Sequence, residues 1–348
     1  MLALDAAPGD GGAAKLPPSG TPSPCGDLLH SPARDRRRGS SGWDHRTMSS
    51  AVESAEQAGT VERVGVIGGG IMGSGIAEVA ARSGCDVLLC EISEAAAENG
   101  LARIRKSLAR AEKSGKLSSA DREAAEGRLR GVTDVAELAD RDLVIEAVIE
   151  DEAEKVAIFQ ALGKVARPEA LLASNTSSIP IMKLAAVTPQ PQRVIGMHFF
   201  NPVPVLPLVE LVPSLLTSPE TVERADAFAS GQLGKHTVLS KDRAGFIVNA
   251  LLIPYLLAAI RMVESGFASP EDIDTGMVDG CAHPMGPLAL TDLIGLDTTM
   301  AVAQSMYAEF KEPLYAPPPL LLRMVEAGLL GRKAGRGFFD YASTPARG

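Results

Sequence analysis

Short apolar runs alternate with longer amphipathic stretches from about residue 60 of this chain onward. The apolar runs of strand length are 64–67, 86–90, 142–148 and 170–173. Because these runs lack an alternating polar face, they are typical of parallel strands buried on both sides of a sheet. The stretches between them with helical length and periodicity are 71–83, 94–129 and 152–165. The pattern predicts an α/β domain built on a parallel sheet.

A glycine-rich turn links the first strand to the first helix. It reads Gly68-Gly69-Gly70-Ile71-Met72-Gly73, a G-x-G-x-x-G pattern. In a dinucleotide-binding turn, Gly68 permits the tight bend, Gly70 lets the backbone approach a pyrophosphate, and Gly73 lets the helix pack closely. The helix start at Ile71 and Met72 supplies free N–H groups and a positive dipole end. We therefore expect a Rossmann-type, doubly wound domain that binds a cofactor here, with an ordinary β–α turn as the alternative.

An acidic residue follows the second strand at the distance that dinucleotide binding requires. Glu91 stands about 20 residues after the glycine turn, where an acid accepts hydrogen bonds from a ribose 2′-hydroxyl. Its charge would repel the 2′-phosphate of NADP, and no arginine stands directly beside it, so we expect NAD. A solvated strand end is the alternative for Glu91.

Length, charge and cysteine usage narrow the class of protein. The chain has 348 residues, 45% of them hydrophobic, which suffices for a large core and favours two domains. A formal net charge of −9 gives no reason to expect nucleic acid or an anionic membrane surface as a partner. The longest strongly apolar stretch, 250–260, is shorter than the ~20 residues that a bilayer requires.

The cysteines show no paired or metal-ligand spacing. They are Cys25, Cys85, Cys90 and Cys281. We therefore expect a cytoplasmic protein in a reducing compartment, without a metal site.

Three regions of the chain differ in composition and hydrophobic pattern. Residues 1–59 are rich in Gly, Pro, Ser and Ala without a hydrophobic period, so we expect a disordered N-terminal extension. A transit peptide is the alternative, but the segment carries too many acidic residues for one. We expect the NAD-binding domain at 60–242 and a helical domain at 243–342, in which 288–308 forms one helical stretch. Because 246–265 is apolar nearly all round, that helix must be buried against several partners, which favours a homodimer.

Basic residues are concentrated in the helical stretch 94–129. They are Arg103, Arg105, Lys106, Arg110, Lys113 and Lys116. A solvated helix face is the simpler interpretation, and an electrostatic seat for a polyphosphorylated substrate is the alternative.

Polar residues follow the strand at 170–173. Residues 174–178 read Ser-Asn-Thr-Ser-Ser. Ligands of doubly wound folds bind at the carboxyl ends of parallel strands. The same residue types are good N-caps, so the sequence leaves both a ligand site and a capped helix start open.

One histidine lies among aromatic residues and prolines in the segment 197–205. His198 is followed by Glu210, a carboxylate in an otherwise apolar stretch. A carboxylate that holds one imidazole nitrogen leaves the other to act as a general base, whereas a satisfied core histidine is the alternative. His236 and His283 lack a comparable setting, so we expect the first on a surface strand and the second in a structural turn.

Taken in order, these motifs resemble the 3-hydroxyacyl-CoA dehydrogenase family, in particular the short stand-alone 3-hydroxybutyryl-CoA dehydrogenases. The segments that carry the resemblance are 68–75, 146–155, 173–178, 197–205, 245–249, 283–287 and 331–338. The resemblance implies NAD-dependent oxidation of a short-chain (S)-3-hydroxyacyl-CoA, with 3-hydroxybutyryl-CoA expected first, to the 3-ketoacyl-CoA, and the reverse reaction. It also implies a homodimer and a place in fatty acid or butanoate metabolism.

The resemblance assigns roles to particular residues. The expected catalytic residues are His198, Glu210, Ser177 and Asn249. His198 takes the proton from the 3-hydroxyl while Glu210 orients the imidazole. The other two hydrogen-bond the reacting oxygen and position the substrate. The cofactor contacts expected beyond the glycine turn and Glu91 are Glu150, Lys155 and Asn175.

Two other functions share this fold class. A free 3-hydroxyacid dehydrogenase of similar architecture would generally use lysine as its base, so His198 with Glu210 counts against it. A non-catalytic structural protein is the other alternative, since lens lambda-crystallin resembles this family. Retention of the four expected catalytic residues argues against lost chemistry.

Overall fold

The computed structural model describes residues 60–341. Within them, an eight-stranded sheet with helices on both faces precedes a wholly helical part, which confirms the predicted fold class. The extension expected at 1–59 lies outside the described residues.

Six of the eight strands of the sheet run parallel. The strands are β1 (Arg63–Ile67), β2 (Asp86–Cys90), β3 (Leu129–Val132), β4 (Leu143–Glu146), β5 (Leu171–Ser174), β6 (Val194–Phe199), β7 (Leu208–Pro213) and β8 (His236–Leu239). Their order is β3-β2-β1-β4-β5-β6-β7-β8. The parallel prediction is confirmed for the four predicted strands, which are β1, β2, β4 and β5. The strands β3 and β6, which were not predicted, also run parallel to their neighbours, whereas β7 runs antiparallel to β6 and β8 parallel to β7.

The reversal at β7 follows from the short connection before it. A parallel crossover needs a dozen or more residues, and the segment between β6 and β7 is too short for one. The chain therefore turns back, and the antiparallel register pairs His198 directly with Glu210.

Eleven α-helices lie in the described residues. The helices of the sheet domain are α1 (Ile71–Arg82), α2 (Glu94–Lys113), α3 (Ser119–Gly127), α4 (Glu152–Val165), α5 (Ile181–Ala186) and α6 (Pro219–Asp226). The helices of the following part are α7 (Val248–Glu264), α8 (Pro270–Cys281), α9 (Pro287–Ile294), α10 (Leu296–Phe310) and α11 (Pro319–Glu326).

Apolar residues on both faces of the central strands explain why helices cover both sides of the sheet. In β4, Leu143 and Ile145 belong to the cluster on one face and Val144 belongs to the cluster on the other. All three are fully buried, as expected for a strand whose whole run is apolar.

Two helical predictions are wrong in their extent. The stretch 94–129 is not one helix, because α2 ends before Gly115, which has a φ of +71°, and the Ser118 side chain caps α3. The helical stretch expected from Leu288 to Ala308 is likewise divided into α9 and α10 at Gly295, whose φ is +104°. Glycine tolerates these positive φ values, and neither value continues an α-helix.

The helical part has a core of its own. It includes Ile253, Leu257, Ile260, Leu288 and Leu296, contributed by α7, α9 and α10. No helix within residues 60–341 is both long and apolar enough to span a membrane.

Candidate active site

The glycine turn leaves open space in front of helix α1. Gly68 has a φ of +97°, and a Cβ on Gly73 would lie 1.8 Å from the carbonyl oxygen of Gly68. A Cβ on Gly70 would meet nothing within 4 Å. Gly68 therefore needs to be glycine for its conformation and Gly73 for close packing, while Gly70 faces open space.

The start of α1 fits the pyrophosphate of a dinucleotide. Gly70 is its N-cap and supplies no side-chain hydrogen bond to the helix. Ile71 is exposed and Met72 is half-buried, so the first turn is reachable. Free amides at a helix start, together with the dipole, favour an anion at this position.

Glu91 lies beside the same turn, at the end of β2. Its Oε1 accepts the N–H of Gly69 at 2.6 Å, and its Oε2 accepts the N–H of Ile92 at 3.0 Å. A carboxylate has about four lone-pair positions, so these two bonds leave capacity for ribose hydroxyls. The glycine turn and Glu91 are thus brought together as the sequence predicts, and their geometry fits the cofactor.

His198 and Glu210 form a buried pair across β6 and β7. The His198 Nδ1 lies 2.7 Å from the Glu210 Oε2, and the Glu210 side chain is fully buried. The imidazole packs against Phe200 and Phe246, with ring centroids 4.5 and 5.5 Å away. Within residues 60–341 the Nε2 has no hydrogen-bond partner, so it is the nitrogen available to a ligand.

Glu210 also holds the start of helix α7. Its Oε1 accepts the N–H groups of Ile247 and Val248, each at 2.9 Å. Asn249 is the next residue, half-buried in the first turn of that helix. One carboxylate therefore orients the imidazole and fixes the backbone that carries Asn249, a second role that the sequence analysis missed.

Ser177 lies in a loop that is organised by Glu150. The Glu150 Oε1 accepts the Thr176 hydroxyl at 2.6 Å, and the Ser177 N–H and hydroxyl at 2.9 and 3.2 Å. Burial opposes ionisation of Glu150, but the Lys155 ammonium and the Thr176 and Ser177 donors outweigh it and hold its pKa below the usual value. The Thr176 Oγ1 also accepts the N–H groups of Ser178 and Ile179 at 3.2 and 2.8 Å, so the loop both surrounds a carboxylate and caps its own turn.

Lys155 lies behind this loop rather than in the open cleft. Its side chain is 1% exposed, and its Nζ lies 2.6 Å from the Glu146 Oε1 and 3.4 Å from the Glu150 Oε2. Glu146 is fully buried, and its Oε2 accepts the Ser174 hydroxyl at 2.6 Å. Lys155 therefore contacts the expected cofactor residue Glu150, while its own ammonium is enclosed.

Glu146, the last residue of β4, has no role assigned to it from the sequence. It could have been singled out because a carboxylate within a strand buried on both faces requires a buried cationic partner. Lys155, one helical turn into α4, is that partner.

Asn175 connects the two groups of site residues. Its Oδ1 accepts the N–H of Phe199, the neighbour of His198, at 2.8 Å. The ends of β5 and β6 are thereby connected, with Ser177 beyond the end of β5 and His198 near the end of β6. The side-chain amide nitrogen of Asn175 forms no hydrogen bond among the residues described.

The remaining candidates lie as the sequence suggests. His236 is exposed on β8, and His283 follows α8 with its Nδ1 3.1 Å from the hydroxyl of Tyr255. Among residues 60–341 there is no cluster of acidic, histidine or cysteine side chains that could hold a metal ion.

Comparison with known proteins agrees with this geometry. The NAD-binding domain of 3-hydroxyacyl-CoA dehydrogenase matches residues 63–243, and the C-terminal domain of 3-hydroxyacyl-CoA dehydrogenase matches residues 245–341. A Mycobacterium tuberculosis protein named 3-hydroxybutyryl-CoA dehydrogenase is 61% identical over 282 residues, which cover 81% of this chain and 99% of that protein.

Solved structures show the same likeness. M. tuberculosis FadB2 has a TM-score of 0.80 and 60% identity, covering 81% of this chain and 100% of that one. The (S)-3-hydroxybutyryl-CoA dehydrogenase of Ralstonia eutropha has a TM-score of 0.77 and 47% identity, covering 81% and 99% of the two chains. This chain therefore belongs to the 3-hydroxyacyl-CoA dehydrogenase family, and its NAD-binding domain identifies NAD as the cofactor.

Proposed function

We propose that this protein oxidises short-chain (S)-3-hydroxyacyl-CoA, with 3-hydroxybutyryl-CoA as its first substrate, to the 3-ketoacyl-CoA and catalyses the reverse reaction. The observation that carries the proposal is the buried contact of 2.7 Å between His198 and Glu210 in a chain of this family. The names of the relatives, 3-hydroxybutyryl-CoA dehydrogenases, support the choice of substrate.

The His198–Glu210 pair acts as the general base of this reaction. When bound, NAD supplies the acceptor for the hydride that leaves the substrate C3. The His198 Nε2 removes the proton of the 3-hydroxyl, since Nδ1 is engaged by the Glu210 carboxylate. Glu210 keeps the imidazole in one tautomer and stabilises the imidazolium that results, and it is poised for this by its two backbone hydrogen bonds.

Ser177 and Asn249 position the reacting oxygen. Asn249 is a neutral hydrogen-bond donor on a helix start held by Glu210. The Ser177 hydroxyl has one O–H, which donates to the Glu150 Oε1 at 3.2 Å and turns to the reacting oxygen when the substrate binds. Much of the rate in hydride transfer comes from alignment, so rigid support of these donors is chemically useful.

The free-acid alternative finds no support in the lysine nearest the site. A lysine base would need an accessible, neutral amine, yet the Lys155 ammonium is enclosed by Glu146 and Glu150. The non-catalytic alternative would leave no use for a histidine whose Nδ1 is fixed by a buried carboxylate.

We also propose a homodimer that acts in the cytoplasm. An apolar stripe on α7, formed by Leu251, Tyr255, Ala258 and Met262, supports the dimer. Burial raises the pKa of the Cys85 and Cys90 thiols to about 11, and both are free, as is Cys281, which suits a reducing compartment.

Initial rates of NADH oxidation with acetoacetyl-CoA and with free acetoacetate test the reaction. We expect turnover of the CoA ester, and a loss of at least ~100-fold in His198→Ala, the low end for a missing general base. His236→Ala is the matched control and should keep wild-type rates. Preference for free acetoacetate would contradict the CoA assignment, and equal rates in the two variants would contradict the role of His198. Oxidation of (S)- against (R)-3-hydroxybutyryl-CoA tests the stereochemistry.

A further inference from the structure

Arg103 contacts the glycine turn from helix α2. Its Nη1 donates to the carbonyl oxygen of Gly69 and lies 3.4 Å from the Ser74 Oγ, which itself donates to the same carbonyl at 2.7 Å. Glu91 accepts the N–H of Gly69 at 2.6 Å. A single residue of the turn is therefore held by a carboxylate at its N–H and by a guanidinium at its carbonyl.

The positive charge of Arg103 is not neutralised by an acidic side chain. Within residues 60–341 it forms no ion pair, and neither does Glu91, although both contact Gly69. Arg105, on the same helix, pairs instead with Glu98 at 2.6 Å. A guanidinium has five N–H donors in a planar fork, so the bonds of Arg103 to the turn leave donors for an anion.

The place of this charge decides what it can recognise. In doubly wound folds the adenosine ribose lies against the acid at the end of the second strand, here Glu91. A 2′-phosphate on that ribose would come to the same place, where an arginine accommodates it. From the neighbouring helix, Arg103 bonds the carbonyl oxygen of Gly69, the residue whose N–H Glu91 accepts.

We propose that the guanidinium of Arg103 is positioned to bind the 2′-phosphate of NADP(H), and that only the negative charge of Glu91 prevents this binding. The proposal rests on dinucleotide binding at the glycine turn. It predicts that removal of the Glu91 charge is sufficient to admit NADPH, because the cation that binds its phosphate is already in place. Glu91→Gln suits the test, since the amide oxygen can still accept the Gly69 N–H.

Direct binding measurements separate this role from simple support of the turn. Dissociation constants for NADH and NADPH are measured by calorimetry for the wild type, Glu91→Gln, Arg103→Met and the double variant. We expect Glu91→Gln to bind NADPH at least about tenfold more tightly than the wild type, and the double variant to lose at least about tenfold of that affinity relative to NADH. Arg105→Met, which removes a neighbouring charge, should leave the ratio of the two constants unchanged.

Other outcomes would overturn the proposal in recognisable ways. If Arg103→Met weakens NADH and NADPH by the same factor in both backgrounds, Arg103 only supports the turn. If Glu91→Gln gains no NADPH affinity, the guanidinium does not reach the phosphate. Arg103→Lys, which keeps the charge without the planar fork, should retain part of the gain and guards against misfolding of the Met variant. Absence of NADH and NADPH binding in the wild type would instead overturn the dinucleotide site itself.

Discussion

Glu210 carries two functions on its two carboxylate oxygens. Oε2 holds the imidazole of His198, and Oε1 holds the N–H groups of Ile247 and Val248. A fully buried carboxylate is costly unless every oxygen is engaged, and here both are. The proposed chemistry and the attachment of helix α7 therefore involve different oxygens of the same residue, which lets substitutions separate them.

Two substitutions at Glu210 should separate orientation from folding. Glu210→Gln can still accept the backbone N–H groups but no longer fixes or stabilises the charged imidazole, so we expect kcat to fall about 100-fold or more with little change in melting temperature. Glu210→Ala should in addition lower the free energy of unfolding by about 2–4 kcal/mol, because buried donors lose their acceptor. Urea titrations measure the free energy of unfolding, and steady-state kinetics measure kcat. A wild-type kcat in Glu210→Gln would contradict the proposed role of Glu210 in orienting His198.

Glu150 should make stability depend on acid. Because its pKa is held below the ordinary 4.5, the ionised carboxylate favours the folded chain at pH values above 4.5. That contribution is lost as the pH falls through the lowered folded-state value. Glu150→Gln should thus be less stable than the wild type near neutral pH, and the difference in the free energy of unfolding, measured by urea titrations, should shrink as the pH falls below 4.5. A stability difference that grew as the pH fell would contradict the lowered pKa of Glu150.

At the scale of elements, buried carboxylates, and the half-buried Asp242, join the ends of helices and strands. Each accepts two consecutive backbone N–H groups from a segment distant in sequence. The carboxylates are Asp142, Glu210, Asp242, Asp274 and Asp292. Sequence periodicity identifies the elements but not these connections, because an acidic residue in a helix or loop carries no sign of which distant amides it meets.

Asp274 offers a clean test of such a connection. From α8 it accepts the N–H groups of Leu288 and Ala289 at the start of α9, both at 2.8 Å. Asp274→Ala should lower the free energy of unfolding by about 1–3 kcal/mol, the cost of buried donors left without an acceptor. Asp279→Ala, which alters an exposed aspartate on the same helix, is the control and should cost less than about 1 kcal/mol. Equal losses of stability in the two variants, measured by thermal and urea unfolding, would contradict the role of Asp274 in holding the start of α9.

Element boundaries show where sequence reasoning stops. The strands β1, β2, β4 and β5 and the helix Glu152–Val165 follow from apolar runs and clear periodicity, whereas β3, β6 and β7 were not predicted. The breaks at Gly115 and Gly295 were missed because an isolated glycine within a helical pattern is also tolerated, and only the positive φ values distinguish the two cases.

At the scale of the whole molecule, the order of motifs predicts the architecture and the residue types of the site. The antiparallel β7 was not foreseen, although it is what brings Glu210 opposite His198. Nor does the sequence reveal that Lys155 is enclosed behind Glu150, since burial of a lysine depends on a partner, Glu146, from another element. Local patterns determine elements, whereas such pairings arise only when the sheet is assembled.

The proposed dimer follows from a stripe on helix α7. Leu251, Tyr255, Ala258 and Met262 recur at spacings of four and three, so they share one face of the helix. Leu251 is 74% and Met262 36% exposed, and Ala258 is exposed between them. A continuous apolar face on a helix needs a partner, and a second copy of the same face can supply it through two-fold symmetry.

A charge in the middle of this stripe should separate the copies. We expect light scattering after gel filtration to give about twice the chain mass of 36.3 kDa for the wild type, and close to the single mass for Ala258→Arg. Ala258 contributes little to the monomer core, so circular dichroism should stay unchanged. Phe267→Arg alters a residue that is 76% exposed but lies beyond α7, and it should remain dimeric. A buried arginine without a partner would not be tolerated at the centre of the contact between the two copies. If the Phe267→Arg dimer dissociates and the Ala258→Arg dimer does not, the interface therefore lies outside this stripe.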